Sequence, residues 1–405
     1  MALPKNLRAI HPFPARMAPE LVWEQLPNGS AGRLSVLDPM AGSGTTLVTA
    51  RLRGHTAIGY DRDPLAVLIA RSWLRNVKPD CVETKAAKVL EKARFRAREL
   101  KVADAYPRQA DDETKAFIRY WFDATNRVQL KALSESISRL HDPSLRDLMW
   151  CAFSRLIITK RTGVSLAMDI SHSRPHKSYE KAPVKAFDRF ERAVHQVVKS
   201  SPFSNTNAAY PPGSMDLADA RKLPIRKNSV DLVITSPPYL NAIDYIRGHK
   251  FSLVWMGHSL QKLRALRATN VGTEIAAKKE DRDTATERIM HMMCPVINLS
   301  KRHAGMLRAY VRDMRAVLSE TNRVLRSSGK AVFVVGNCNL RETFIRNSKC
   351  IEGLAGELGM EVKNMRSRPL PANRRYLPPP GSLTSGNALK KRMREEVILT
   401  LLKKQ

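Results

Sequence analysis

Gly32-Arg-Leu-Ser-Val-Leu-Asp38 runs directly into Pro39-Met-Ala-Gly42-Ser-Gly44-Thr45-Thr46, and this stretch decides the fold. A short apolar run of this kind reads as a buried strand. The glycines that follow read as a tight turn, and Leu47-Val-Thr-Ala-Arg-Leu-Arg53 as the helix after it, stopped by Gly54. A second strand, Thr56-Ala-Ile-Gly-Tyr60, leads through Asp61-Arg-Asp63-Pro into another helix ending near Arg75. Strand alternating with helix in this rhythm predicts an α/β fold with a mostly parallel, doubly wound sheet.

Outward from this start the rhythm changes and then returns. Between about residues 81 and 205 apolar residues fall at helical spacing, over Glu83–Val102, Glu113–Leu140, Ser144–Lys160 and Ala182–Lys199, without a convincing strand. That predicts a helical insertion, a candidate target-recognition or DNA-binding region, inside a core made of residues 1–80 and 206–405. Asp231-Leu-Val-Ile-Thr235 and Gly329–Val335 read as further strands, with helices over Asn241–Gly257 and Ser300–Leu325 between them. A weak strand near Met360–Asn364 and a strong one at Val397–Leu402 close the chain, joined by a long basic, proline-rich connection.

Composition narrows the partners. Of the 405 residues, 69 are Lys or Arg and 38 are Asp or Glu, a formal net charge of +31. With 43% hydrophobic and 26% charged residues this is a globular balance, and wholesale disorder is excluded. So large a positive excess predicts a polyanionic partner, first of all nucleic acid. No apolar run approaches the ~20 residues needed to span a bilayer. The N-terminus lacks the apolar segment of a secretory signal, so a cytoplasmic location is expected. The five cysteines lie far apart with no C-x-x-C pair, and read as reduced thiols. His172 and His176 have i,i+4 spacing but no Cys or acidic cluster beside them, so no metal site is expected.

Three motifs carry chemistry. The glycine turn sits where a strand's carboxyl end meets a helix, the ligand position of an open α/β sheet, and offers close backbone approach and free N–H groups. It lacks the lysine of a P-loop and the spacing of a dinucleotide fingerprint. Asp61 directly terminates the second strand, where an acid can accept hydrogen bonds from ribose hydroxyls; Asp63 competes for that role, and one of the two can instead cap the following helix. Ser236-Pro237-Pro238-Tyr239 is the most specific. Its prolines fix a rigid turn with outward carbonyls. A serine hydroxyl and a proline carbonyl together can hold an exocyclic amino group, and the tyrosine can stack on a base.

Asp38-Pro-Met-Ala-Gly-Ser-Gly-Thr-Thr46 and Thr235-Ser-Pro-Pro-Tyr239 resemble the cofactor and catalytic motifs of S-adenosylmethionine-dependent DNA amino-methyltransferases, which act on cytosine N4 or adenine N6. His11-Pro-Phe-Pro-Ala-Arg-Met-Ala-Pro-Glu-Leu21 resembles the family's N-terminal motif beside the methionine end of the cofactor. Serine before Pro-Pro-Tyr is the form similar to the cytosine-N4 enzymes, and Met40 stands where the family usually has phenylalanine. The resemblance covers residues 10–75 and 215–260 well and 320–405 more loosely.

The resemblance implies a Rossmann-like class I methyltransferase core whose last two strands form an antiparallel hairpin. It implies S-adenosylmethionine as cofactor, held by His11, Phe13, Asp38, Pro39, Met40, Gly42, Ser43, Gly44, Thr45, Thr46, Asp61 and Asp219. Ser236, Pro237, Pro238 and Tyr239 are the implied catalytic residues, acting on a base flipped out of double-stranded DNA. A restriction endonuclease is a possible companion. Arg174, His176, Lys177, Arg247, Arg366, Arg368, Arg374 and Arg375 are the cations expected to meet DNA, since flexible cations near the active face gain from counterion release. Adenine N6, structured RNA as substrate, and an inactive nucleic-acid-binding methyltransferase fold remain the alternatives.

Overall fold

The protein is described by a computed structural model that covers residues 3, 7–13, 16–160, 162–168, 170, 175–204, 208–240, 244–273, 283–340, 343–370 and 395–404. Arg174, Arg374 and Arg375 lie outside the described residues, as do His172 and the basic group Lys390, Lys391, Arg392 and Arg394.

A seven-stranded sheet organises the chain. Its strands are β1 (Ser35–Asp38), β2 (Thr56–Asp61), β3 (Gly213–Leu217), β4 (Val230–Thr235), β5 (Leu325–Gly336), β6 (Met360–Pro369) and β7 (Glu395–Lys403). Across the sheet they stand in the order β6-β7-β5-β4-β1-β2-β3. Strands β1 to β5 are parallel. Strand β7 runs antiparallel to β5, and β6 antiparallel to β7, so the chain ends in the expected hairpin. The fold is therefore α/β, doubly wound and mostly parallel, of the Rossmann-like class. The order reverses between β1 and β4, and at such a switch point the loops leaving neighbouring strands part to open a crevice.

Helices cover both faces: α1 (Pro19–Gln25), α2 (Thr45–Leu52), α3 (Pro64–Trp73), α4 (Pro79–Glu99), α5 (Asp112–Trp121), α6 (Ala124–Ser138), α7 (Pro143–Ile157), α8 (Ala186–Lys199), α9 (Tyr245–Leu253), α10 (Leu260–Ala268), α11 (Thr284–Met293), α12 (Lys301–Val324) and α13 (Asn347–Glu357). Strand side chains alternate between faces. Val36, Leu232, Ile234, Val332 and Val334 therefore join the core under α1–α3, while Leu37, Val233, Phe333 and Val335 join the core under α11–α13. The first core continues through Trp73 into Ile137, Phe153 and Phe190 of the helices between β2 and β3, without a break. None of the described helices is long and apolar enough to cross a membrane.

Besides the unread helices α10, α11 and α13 and a short antiparallel pair, Cys338–Leu340 with Thr343–Ile345, four features depart from the sequence reading. The helix expected over Glu113–Leu140 is two helices, because Asp123 is extended and caps α6 at Asn126 N, 2.8 Å, while also accepting Ala182 N at 2.8 Å. Strand β3 was not foreseen: it lies at the sheet edge with only Met215 fully buried, so it lacks an apolar run. Gly213 opens it because a Cβ there would lie 2.5 Å from Arg51 Cδ. The segment expected to hold no strand contains a small ribbon, Ala167–Met168 paired with His176–Lys177. The weak strand near Met360 is ten residues long, since β7 pairs with it throughout.

Candidate active site at the carboxyl ends of β1 and β4

The turn after β1 is built on two left-handed glycines, Gly42 at φ 51° and Gly44 at φ 87°. At Gly44 a side chain would be excluded twice, by φ and by Ala70 Cβ 2.8 Å from the position a Cβ would take. Gly44 ends the turn as N-cap of α2, whose first-turn N–H groups face the crevice end of the sheet. Asp61 Oδ2 accepts Gly42 N at 2.8 Å, and its Oδ1 accepts Asp63 N at 2.9 Å. With the Arg62 backbone N–H also directed at this carboxylate, part of its acceptor capacity remains for a ligand. Burial, and then the neighbouring Asp63 charge, push the Asp61 carboxyl up to about 6.

The two central loops are tied together. Thr235 Oγ1, at the last residue of β4, donates to Asp38 Oδ1 at the last residue of β1, 2.8 Å away and fully buried. Asp38 also accepts Met40 N at 3.2 Å. Burial raises its carboxyl to about 6, against hydrogen bonds from Thr46 and Thr235 that lower it. Ser236-Pro-Pro-Tyr239 thus leaves β4 immediately beside Pro39–Thr46 leaving β1. Pro237 is buried while Ser236, Pro238 and Tyr239 are partly exposed. Gly272 comes so close behind this tetrapeptide that a Cβ there would lie 2.9 Å from the Tyr239 carbonyl oxygen.

The N-terminal segment closes one side. The Phe13 ring lies 3.5 Å from the position of a Cβ on Gly42, and stacks on Tyr245 at 5.3 Å. His11 is buried, with Nε2 2.9 Å from Ser154 Oγ. Burial, then Arg155, hold its imidazole well below the ordinary histidine value, so it is neutral at pH 7. Among the described residues its Nδ1 has no partner, nor has Thr45 Oγ1 at the start of α2, and both are buried. Unpartnered buried polar atoms beside a glycine cradle and a partly available carboxylate fit a ligand with polar groups at both ends. Ser43 and Thr46 are buried in the same turn, Pro39 beneath it, and Met40 packs against the core under α11–α13.

The two aspartates of Asp61-Arg-Asp63 have separate placements. Asp63 caps α3, its Oδ1 accepting Leu65 N at 2.9 Å, and its Oδ2 meets His249 Nδ1 on α9. Asp219 is not an open carboxylate. Its oxygens take Arg221 Nη2 at 2.7 Å and Nε at 3.0 Å. Burial raises its carboxyl, but the Arg221 hydrogen bonds hold it below the usual range. Arg221 also reaches the Thr269 carbonyl at 2.9 Å, and Arg62 donates to the same carbonyl and to Thr269 Oγ1. The end of α10 is thereby fastened over the ends of β2 and β3. Arg62 and Thr269 went unread in the sequence, while Tyr245 and His249 lie in Asn241–Lys250, a stretch that resembles family sequence but gave neither residue a role; their i,i+4 spacing was the available signal.

The expected DNA-contacting cations fall in different places. His176 and Lys177 are exposed on the small ribbon. The ribbon's neighbour Ile170 packs on α9, its carbonyl oxygen 2.9 Å from the position of a Cβ on Gly248. Arg247 lies 3.5 Å from Asp244. Arg366 pairs with Glu24 at 2.7 Å and Arg368 with Glu396 at 3.0 Å, both on β6. Because Pro369 pairs with Glu395, and Glu396 with Gly336, the connection between β6 and β7 leaves the sheet at its crevice end.

Comparisons with known proteins bear on the reaction class. Its relatives are type II methyltransferases. Type II methyltransferase M.MvaI of Kocuria varians is 22% identical over 351 residues, 81% of this chain and 76% of that protein. Type II methyltransferase M.AvaI of Nostoc is 23% identical over 368 residues, 82% of this chain and 74% of that protein. A solved S-adenosylmethionine-dependent methyltransferase from Methanosarcina mazei aligns over 96% of this chain and 99% of its own, at 9% identity and a TM-score of 0.33. That likeness adds nothing to the fold assignment, which rests on strand order. No family model matches the chain.

Proposed function

We propose that the protein is an S-adenosylmethionine-dependent DNA methyltransferase that modifies the exocyclic N4 amino group of cytosine. The observation that carries this reading is the Thr235–Asp38 hydrogen bond of 2.8 Å. It holds a glycine cradle and Ser-Pro-Pro-Tyr side by side at the switch point of the sheet. The type II methyltransferase relatives support the reaction class, and the serine at 236 supports cytosine.

The cofactor supplies an electrophilic methyl group on a sulfonium. Asp61 would accept hydrogen bonds from its ribose hydroxyls, and the Gly42–Gly44 backbone and the α2 N-terminus, with His11 and Phe13, would hold its amino-acid part. The amino group of cytosine is a weak nucleophile because its lone pair is delocalised into the ring. Ser236 Oγ and the Pro237 carbonyl would accept hydrogen bonds from its two N–H groups and favour a pyramidal nitrogen, whose lone pair would form the new carbon–nitrogen bond as the carbon–sulfur bond breaks; the neutral thioether leaves, and the methylated nitrogen gives up one proton to solvent. Positioning and electrostatics supply the catalysis. Tyr239 stacks on the flipped base, offsetting part of the few kcal/mol that unstacking costs.

The test is to treat DNA and RNA separately with protein and cofactor, digest to nucleosides and identify the product by mass and retention. N4-methylcytosine from DNA is expected. N6-methyladenine would transfer the reading to adenine, a product from RNA alone would move the substrate, and no methylated nucleoside would leave an inactive binding fold.

A further inference from the structure

Beside the crevice lies a strip of aromatic side chains that the catalytic proposal does not use. It starts at Lys250 on α9, whose Nζ sits 5.1 Å from the Phe117 ring centre. Phe117 meets Trp121 at 6.3 Å, and Trp121 meets Tyr120 edge-on at 4.9 Å. Lys177 Nζ closes the strip 5.0 Å over the Tyr120 ring. Tyr120 is 55% exposed, unusual for a large ring on a helix whose neighbours Phe117 and Trp121 pack against the core. Two lysines therefore bracket a row of rings whose outermost member, Tyr120, is more than half exposed.

The strip is cationic. The carboxylates near Lys250 are already paired, Asp244 with Arg267 at 2.5 Å and Arg247 at 3.5 Å, and Glu113 with Arg264. It also connects with the site. On α9, Tyr245 and His249 face the glycine turn through Phe13, while Lys250 turns to the strip. A polyanion whose bases have open π-faces satisfies both features: phosphates between the lysines and a base on the ring.

We propose that DNA adjoining the target base crosses this strip, with an unpaired or partly unstacked base on Tyr120 and its phosphates at Lys177 and Lys250. This rests on the DNA-methyltransferase reading and assigns the substrate strand a surface.

The test uses the full chain with a fluorescein-labelled DNA duplex, its single strand and RNA of the same sequence, with anisotropy measured across a salt series. Tyr120→Ala should weaken binding roughly tenfold, and Tyr120→Phe should keep wild-type affinity, because stacking needs the ring and not the hydroxyl. Lys177→Ala should lower the salt slope by about one. Cofactor affinity by calorimetry should be unchanged in all three. Wild-type affinity in Tyr120→Ala, equal loss in the Ala and Phe variants, or an unaltered salt slope in Lys177→Ala would overturn the proposal. A loss confined to RNA of the same sequence would overturn the choice of DNA. Methylated-nucleoside yield separates the two readings: product formed with these variants binding normally defeats the strip alone, while altered binding without any product defeats the reaction alone.

Discussion

Asp63 and His249 meet in the buried interior, Oδ2 to Nδ1, joining the first turn of α3 to the helix that follows Ser-Pro-Pro-Tyr. The same carboxylate caps α3 through its other oxygen. One side chain thus fixes both the end of the Asp61 loop and the position of α9, with its Tyr245–Phe13 stack. Asp63→Ala should destabilise the protein by about 2–4 kcal/mol, from the lost cap and the buried imidazole left unpaired. A double-mutant cycle with His249→Ala, measured by denaturant unfolding, should give a coupling above about 0.5 kcal/mol. Simple additivity would show that the two helices are held independently.

Asp61 links cofactor affinity to pH. Its carboxyl is raised to about 6, and only the ionised form offers all its remaining acceptor sites to hydroxyl donors. Affinity for S-adenosylmethionine should therefore rise as pH increases through about 6 and level off above 7. Asp61→Ala should lose about 2–4 kcal/mol of binding at pH 8 and lose the pH dependence with it. Calorimetry between pH 5 and 8 decides this; an unchanged profile in the variant would place the titrating group elsewhere.

Asp38 makes a stability prediction of definite sign. Its folded-state value, about 6, lies above the ordinary 3.8, so the folded form holds a proton more tightly than the unfolded chain. That contribution is complete below about pH 4 and is lost as pH rises through 6. Asp38→Asn keeps an acceptor for Thr235 without a buried charge, and should flatten this part of the stability profile. Asp38→Ala leaves the Thr235 hydroxyl unsatisfied and should cost about 1–3 kcal/mol at pH 5. Thermal melts of the three proteins from pH 4 to 8 supply the comparison.

Ser236 separates chemistry from binding. Ser236→Ala and Tyr239→Ala should leave cofactor affinity intact and depress methyl transfer, by about tenfold or more for the lost acceptor. Ser236→Asp tests base choice, since a carboxylate there resembles the adenine-N6 form. Single-turnover rates on DNA give the answer, and full activity in Ser236→Ala would remove the serine from the mechanism.

Gly44→Ala tests the cradle. The left-handed φ and the 2.8 Å approach to Ala70 both oppose a Cβ. A loss of at least about 1 kcal/mol in stability is expected, together with weaker cofactor binding. A variant as stable as wild type would mean that the turn can rearrange without strain.

Much of the fold was legible because its signals are local. Val36 and Leu37 are buried on opposite faces of the sheet, and an apolar run ending in glycines is the trace that such burial leaves in sequence. Ser-Pro-Pro-Tyr was equally readable, since prolines fix a turn whatever surrounds them. Strand β3 was not, because an edge strand with one buried side chain needs no apolar run. The break between α5 and α6 was hidden as well, for helical spacing continues across Asp123; its local cap on Asn126 N was there to be read, but its second oxygen is held by Ala182 N from a distant segment.

The sequence by itself determined the class of fold, the glycine cradle, the acid ending the second strand and the tetrapeptide after the fourth, because each depends on neighbours in the chain. It favoured Asp61 over its competitor Asp63 for the ligand, and offered Asp219 as a carboxylate without its guanidinium. Only the tertiary structure put Asp63 under His249 and brought Thr235 to Asp38, 197 residues apart in the chain. The physical reason is that buried polar groups take whatever partner folding brings within reach. Here the partners come from elements separated by the helices between β2 and β3, where no spacing rule extends.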